Sequence, residues 1–112
     1  MLHEKTLNTY IWRLRDMIHK IERYSKDWKT YEDFVFDERN IDMIIPPITQ
    51  IWETAARISK LYPDAVELPY REIVGMRNIL VHMYHKVDTE VLRSAITISI
   101  PKLKQILQDN NL

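Results

Sequence analysis

Leu7, Tyr10, Ile11, Leu14, Met17, Ile18, Ile21, Tyr24 and Trp28 recur mostly at spacings of three and four. That spacing puts them along one side of an α-helix. Arg13, Arg15, Asp16, Lys20, Glu22 and Arg23 fill the other side. The pattern predicts a long amphipathic helix over about residues 4–26. One small core cannot bury all of such a stripe, so part of it is expected to face another subunit.

Thr30 and Asp33 have the spacing of a Thr-x-x-Asp capping box, with the Thr30 hydroxyl accepting from the Asp33 N–H. The Asp33 carboxylate, one methylene shorter than the usual Glu, reaches back less easily. A short second helix holding Phe34 and Val35 is expected to follow. Asp37 or Asn40 then caps a third, whose stripe is Ile41, Ile44, Ile45, Ile48, Trp52, Ala55, Ile58 and Leu61. Pro46-Pro47 interrupts that run. Each proline removes a donor and crowds the preceding turn, so a kink or break is expected there. Tyr62-Pro63-Asp64 ends the third helix, and a loop leads to Pro69. A fourth helix is predicted from about Tyr70 to His82 or slightly beyond. Asp88 caps the fifth, whose stripe is Val91, Leu92, Ala95, Ile96, Leu103, Ile106 and Leu107. Within it, residues 95–101 alternate with period two and are rich in β-branched side chains. Alone they read as a strand; between two helical stripes they read better as a bent helix.

These elements make an all-α protein of about five helices. Composition agrees. A chain of 112 residues fits a single domain over residues 1–112, and 46% hydrophobic content supports a packed core. The single glycine, Gly75, argues against a turn-rich β architecture. With no cysteine, neither disulfides nor zinc–thiolate sites can form. No apolar run approaches the roughly 20 residues that span a bilayer. The first residues lead into a charged helix pattern rather than a secretory leader, so a cytoplasmic address and no membrane partner are expected. Sixteen charges of each sign cancel to a net +0. Any attraction for nucleic acid must therefore be local.

The segment richest in candidate chemistry is Gly75-Met76-Arg77-Asn78-Ile79-Leu80-Val81-His82-Met83-Tyr84. An imidazole with a pKa near 6.5 can take a proton from a ribose 2′-hydroxyl or give one to a leaving oxygen. A guanidinium stays charged and grips phosphate oxygens in a fork. Together they suffice to cut RNA through its 2′-hydroxyl without a metal or other cofactor, and DNA lacks that nucleophile. Helix geometry complicates the picture. Asn78 and His82 share a face, whereas Arg77 lies about 140° away from His82 on a straight helix. Either the helix ends near His82 or a second copy completes the site. From spacing alone, an Arg and a His on an amphipathic helix are more often surface polar residues than catalysts.

Arg77-Asn78-x-x-x-His82-x-Tyr84 resembles the Arg-x4-His-x-Tyr motif of HepT-like proteins in the HEPN superfamily. The lead-in Leu68-Pro69-Tyr70-Arg71-Glu72-Ile73-Val74-Gly75-Met76 is also similar to theirs. So are Phe34-Val35-Phe36-Asp37, Glu53-Thr54-Ala55-Ala56, Val87-Asp88 and Ile100-Pro101-x-Leu103, and the match spans residues 3–108. Pro46-Pro47 departs from relatives that continue a helix, and Tyr70 replaces the more common Trp. The resemblance implies an antiparallel helical bundle that forms a homodimer, in which two motif copies line one cleft. It also implies an endoribonuclease toxin of a type VII HEPN/MNT toxin–antitoxin pair. His82 would be the catalytic base or acid, Arg77 the phosphate-binding group, and Asn78 a positioning group. The implied partners are RNA and an MNT-type nucleotidyltransferase antitoxin that transfers AMP to Tyr84. The alternative is a non-catalytic substrate-binding or regulatory subunit of a nucleotidyltransferase.

Other features are weaker. His82-x-x-His85-x-x-Asp88 has a spacing that could hold a metal, but a polar helix terminus explains it, and no metal is expected. His3 and His19 read as solvated. Trp12, Trp28 and Trp52 could stack bases, although core packing or dimer contact fits better. Met17, Met43, Met76 and Met83 sit at or beside stripe positions and read as packing.

Overall fold

A computed structural model describes residues 2–26, 30, 32–33, 38–81 and 89–112, with only the backbone given for 2–5, 81 and 89. Among these residues there is no strand, and four helices account for most of the chain. They are α1 (Leu2–Ser25), α2 (Glu38–Leu61), α3 (Tyr70–Val81) and α4. The last runs without a gap through Thr89–Ser94, a π-helical Ala95–Ser99 and Ile100–Asp109. The count is one below the expected five because the short second helix falls mostly outside the described residues. Of it, Glu32 and Asp33 are helical, and the reciprocal cap is made. Asp33 N–H donates to Thr30 Oγ1 at 3.2 Å, and Thr30 N–H to Asp33 Oδ2 at 3.3 Å.

α1 packs against α2, α2 against α3, α3 against α4, and the end of α4 closes back on α1. The predicted stripes of α1, α2 and α4 supply most of the core. Ile11, Leu14, Met17, Ile18 and Ile21 of α1 meet Ile44, Ile45, Ile48, Ile51, Ala55 and Ile58 of α2. Ile73, Met76 and Ile79 of α3 and Leu92, Ala95, Leu103 and Leu107 of α4 complete it. Leu7, Tyr10, Ile41, Trp52, Val91, Ile96 and Ile106 pack partly buried around this cluster. At about 25 cal/mol per Å2 of apolar surface, burying each large aliphatic side chain contributes roughly 1.5–3 kcal/mol.

Four sequence-based expectations need correction. α2 stays helical through Pro46 and Pro47, so of the expected kink or break, the break does not occur. The carbonyls that lose their donors belong to Asp42 and Met43, both exposed, so water can replace the missing bonds. α2 begins at Glu38, so Asn40 lies inside the helix rather than capping it, and Asp37 is outside the described residues. Met43 and Leu61 are exposed, the latter as the final helical residue, where the stripe has run out of core. Trp12 is 66% exposed, so core packing does not hold for it; Trp28 lies outside the described residues, and Trp52 is half-buried.

The ambiguous 95–101 stretch is helical and wider than an α-turn. Ile100 N–H donates to Ala95 O, five residues back. Pro101 follows in the first turn of the next segment. Its ring would crowd the carbonyl four residues earlier, and a π-turn relieves that crowding by moving the carbonyl away. Thr97 Oγ1 also donates to Arg93 O at 2.7 Å. α4 ends in a left-handed Asn111, φ 58°, with Leu112 N–H bonded to Leu107 O at 2.7 Å and Asn111 N–H to Gln108 O at 3.0 Å. These two bonds are the Schellman pattern, with Asn in glycine's usual place. No helix among the described residues is long and apolar enough to cross a membrane.

Candidate active-site helix

α3 starts directly after Pro69, whose carbonyl accepts from Ile73 N–H at 3.1 Å and so opens the first turn. Glu72 puts negative charge in that turn, where the helix dipole favours it. Ile73, Met76 and Ile79, three apart, are buried and fix the rotation of the helix. The opposite side then follows without further choice: Tyr70, Arg77 and Asn78 are exposed, and Val74 is half-buried beside them. Tyr70 is 77% exposed, unusual for a large aromatic side chain that opens a helix.

Arg77 and Asn78 therefore share the solvent side of α3, carried by the burial of Met76 and Ile79 on the other. Neither makes a hydrogen bond or ion pair among the described residues, so the guanidinium retains its full donor set for an incoming anion. α3 is described as far as Val81. His82 and Tyr84 lie outside the described residues, as do Met83, His85 and Asp88 of the weighed metal spacing and of the expected fifth-helix cap. Among the described residues no cluster of His, Cys, Asp or Glu could hold a metal ion.

Two ion pairs brace this helix and its neighbour. Lys102 Nζ donates to Glu72 Oε1 at 2.8 Å, joining the first turn of α3 to the last segment of α4. The tie joins the start of α3 to the far end of α4, so the two helices run antiparallel. Lys104 Nζ donates to Glu22 Oε2 at 2.8 Å and joins α4 to α1. The hydrogen bond from Lys102 holds the Glu72 carboxyl below its ordinary pKa. His19, on the exposed side of α1, sits 3.4 Å from Glu22, in keeping with its expected solvated place. Sequence reading missed Glu72 as an anchor because its partner is thirty residues away and no local pattern joins them.

Gly75 lies mid-helix, one turn before Asn78, and a Cβ built there would meet nothing within 4 Å among the described residues. Packing inside the protomer does not demand glycine, although glycine costs a helix interior about 1 kcal/mol relative to alanine.

Known proteins resemble this chain along most of its length. The family described as ribonuclease HepT-like matches residues 14–109. A protein of Thermococcus cleftensis named as a probable ribonuclease HepT is 31% identical over 99 residues, covering 85% of this chain and 86% of its own length. A Methanocaldococcus jannaschii protein, named for a γ-glutamylcyclotransferase and a candidate RNase, is 30% identical over 102 residues. That match takes in 90% of this chain but only 46% of the relative. Another protein of that organism, named as a candidate RNase, is 22% identical over 105 residues, covering 93% of this chain and 95% of its own length. No solved structure matches. With the match running from the middle of α1 to the end of α4, the chain belongs to the ribonuclease HepT-like family.

Proposed function

We propose that this chain is a metal-independent endoribonuclease acting as a homodimer, the RNase toxin of a type VII HEPN/MNT toxin–antitoxin pair in the cytoplasm. The observation that carries the reading is the family match over residues 14–109, which includes Arg77, Asn78, His82 and Tyr84 in their motif order. The outward setting of Arg77, without a partner among the described residues, supports it, since a phosphate-binding guanidinium must not be spent on an internal carboxylate.

In this reading His82 takes the proton of the 2′-hydroxyl and the 2′-oxygen attacks the adjacent phosphorus. Arg77 lies against the phosphate oxygens as negative charge builds in the phosphorane, where fixed donors act most strongly. The 5′-oxygen leaves with a proton, in one protomer or the other from a His82 imidazolium, giving a 2′,3′-cyclic phosphate and a 5′-hydroxyl. Asn78 positions the phosphate or the imidazole. The two-fold dimer answers the angular mismatch of Arg77 and His82 on one straight helix, and it doubles a local positive charge that the neutral total hides. The bare Tyr70 ring suits packing against a second copy. The antitoxin then silences the site by transferring AMP to Tyr84. The phenolic oxygen attacks the α-phosphorus of ATP and pyrophosphate leaves, so the new phosphodiester repels an RNA backbone.

The test is expression of the chain alone and as Arg77→Ala and His82→Ala. Growth arrest, with RNA cleaved by purified protein in EDTA and both effects lost in the variants, is the expected result. Harmless expression with intact RNA points instead to a regulatory subunit of a nucleotidyltransferase. With a cognate transferase and ATP, the Tyr84 peptide gains one or more AMP masses; an unmodified peptide removes the proposed switch.

A further inference from the structure

A groove of about 780 Å3 lies between α1 and α2 and takes no lining residue from α3. Its walls include Tyr10 and Arg13 from α1 and Trp52, Glu53, Arg57 and Lys60 from α2. We propose that this groove seats a single-stranded RNA segment, with Arg13, Arg57 and Lys60 holding phosphates and Trp52 stacking a base. The inference rests on the reading of the chain as an RNase and concerns how its substrate is held away from the scissile link.

Charge points there first. The chain sums to zero, yet this groove gathers three cations against one carboxylate. The imbalance follows from the fold. Ile11 and Leu14 of α1 pack on the α2 stripe of Ile51, Ala55 and Ile58, and that contact carries Arg13 to the side where Arg57 and Lys60 stand. None of the three cations pairs with a carboxylate among the described residues. Arg13 instead holds its guanidinium 6.0 Å from the centre of the Tyr10 ring, which limits its freedom before any ligand arrives.

The aromatic pair points the same way. Tyr10 and Trp52 are both half-buried and pack against the core, so each ring is anchored while part of its surface is left in the groove. A basic groove with anchored aromatic rings is the usual means of gripping a single strand without reading its sequence. Its volume falls within the roughly 300–1,000 Å3 of small-ligand sites, room for a nucleotide or two. Duplex RNA keeps its base faces stacked internally and cannot use Trp52 in this way. A second copy fits poorly, because two-fold pairing of this face would bring six cations together.

The experiment uses the full chain carrying His82→Ala, to prevent cleavage, and a labelled 12-nucleotide single-stranded RNA followed by anisotropy at several salt concentrations. Arg13→Glu/Lys60→Glu, two exposed positions, should weaken binding about tenfold or more. The log–log salt slope should fall by about 1.4, near 0.7 for each phosphate that is no longer neutralised. Trp52→Ala should weaken it about 5- to 150-fold, the equivalent of 1–3 kcal/mol per stacked base, and leave duplex binding nearly unchanged. In the cleaving protein the charge-reversed variant should raise KM for long RNA and spare kcat. Unchanged affinity and slope in the charge-reversed protein would overturn the proposal. So would weakened binding accompanied by loss of the dimer in light scattering, which would make the groove an interface between copies. A chain that cleaves RNA while its groove variants bind normally loses this inference alone. A chain that binds RNA through the groove but never cleaves it loses the RNase reading alone.

Discussion

Met76 and Arg77 are neighbours on α3 with opposite surroundings, and alanine at each should separate folding from chemistry. Met76 is fully buried among the core residues. Its truncation forfeits the transfer energy of the side chain and leaves a cavity that close packing fills only in part, together about 2–5 kcal/mol. A 112-residue domain at roughly 0.05–0.15 kcal/mol per residue has about 6–17 kcal/mol of total stability. Met76→Ala should therefore fold, with a Tm lowered by about 8–20 °C if each kcal/mol shifts it by about 4 °C. Arg77 is exposed and has no polar partner among the described residues, and alanine is at least as good a helix former. Arg77→Ala should alter stability by no more than about 0.5 kcal/mol, a Tm change within about 2 °C. Its cleavage rate should nevertheless fall about 100- to 1,000-fold, the usual cost of losing one donor to an anionic transition state. Circular-dichroism melts and cleavage of a fluorogenic RNA read both quantities on the same samples. A melt for Arg77→Ala as low as that of Met76→Ala would refute the placement of Arg77 on a free surface. A normal melt with normal cleavage would refute its role.

Other outcomes follow from individual contacts. Lys102→Met should cost about 0.3–1 kcal/mol at pH 7, the range for exposed ion pairs, read as a small fall in Tm. Because Lys102 lowers the folded pKa of Glu72, that contribution is present above the usual value of 4.5 and fades as pH falls through the lowered value. The gap between the two proteins should therefore narrow as pH falls below 4.5, and a gap that stays constant would discount the ion pair. Thr30→Ala removes a cap whose bonds are long and exposed, and should cost about 0.5 kcal/mol in urea melts. A loss above about 2 kcal/mol would mean the cap holds more than its own turn. Gly75→Ala fills open space in a helix and should raise the urea midpoint by the equivalent of about 0.4–1 kcal/mol. A lowered midpoint would show that another molecule occupies that space.

The helical stripes were legible because each depends only on residues three and four apart. The burial of Leu14, Ile48, Met76 and Leu103 follows from that spacing alone. The path through Pro46-Pro47 was not, because whether a helix survives two missing donors depends on whether the freed carbonyls face water, a tertiary fact. The 95–101 stretch was legible as a bent helix, but not as a π-turn, whose extra residue becomes visible only once the core fixes the rotation of the segments on either side. At the site, motif order was readable and the outward setting of Arg77 and Asn78 was implied by burial of Ile73, Met76 and Ile79. The Glu72–Lys102 tie and the Arg13–Arg57–Lys60 groove were not, since each joins residues of different helices and leaves no periodic trace.

The chemical identity of the ends made by the purified chain in EDTA, on an RNA and on a DNA of the same sequence, bears most directly on the proposed chemistry. Attack by the 2′-oxygen requires cut RNA with 2′,3′-cyclic phosphate and 5′-hydroxyl termini, intact DNA, and no products from His82→Ala. Termini bearing 5′-phosphate, cleavage of the DNA, or activity that disappears with the chelator would contradict it.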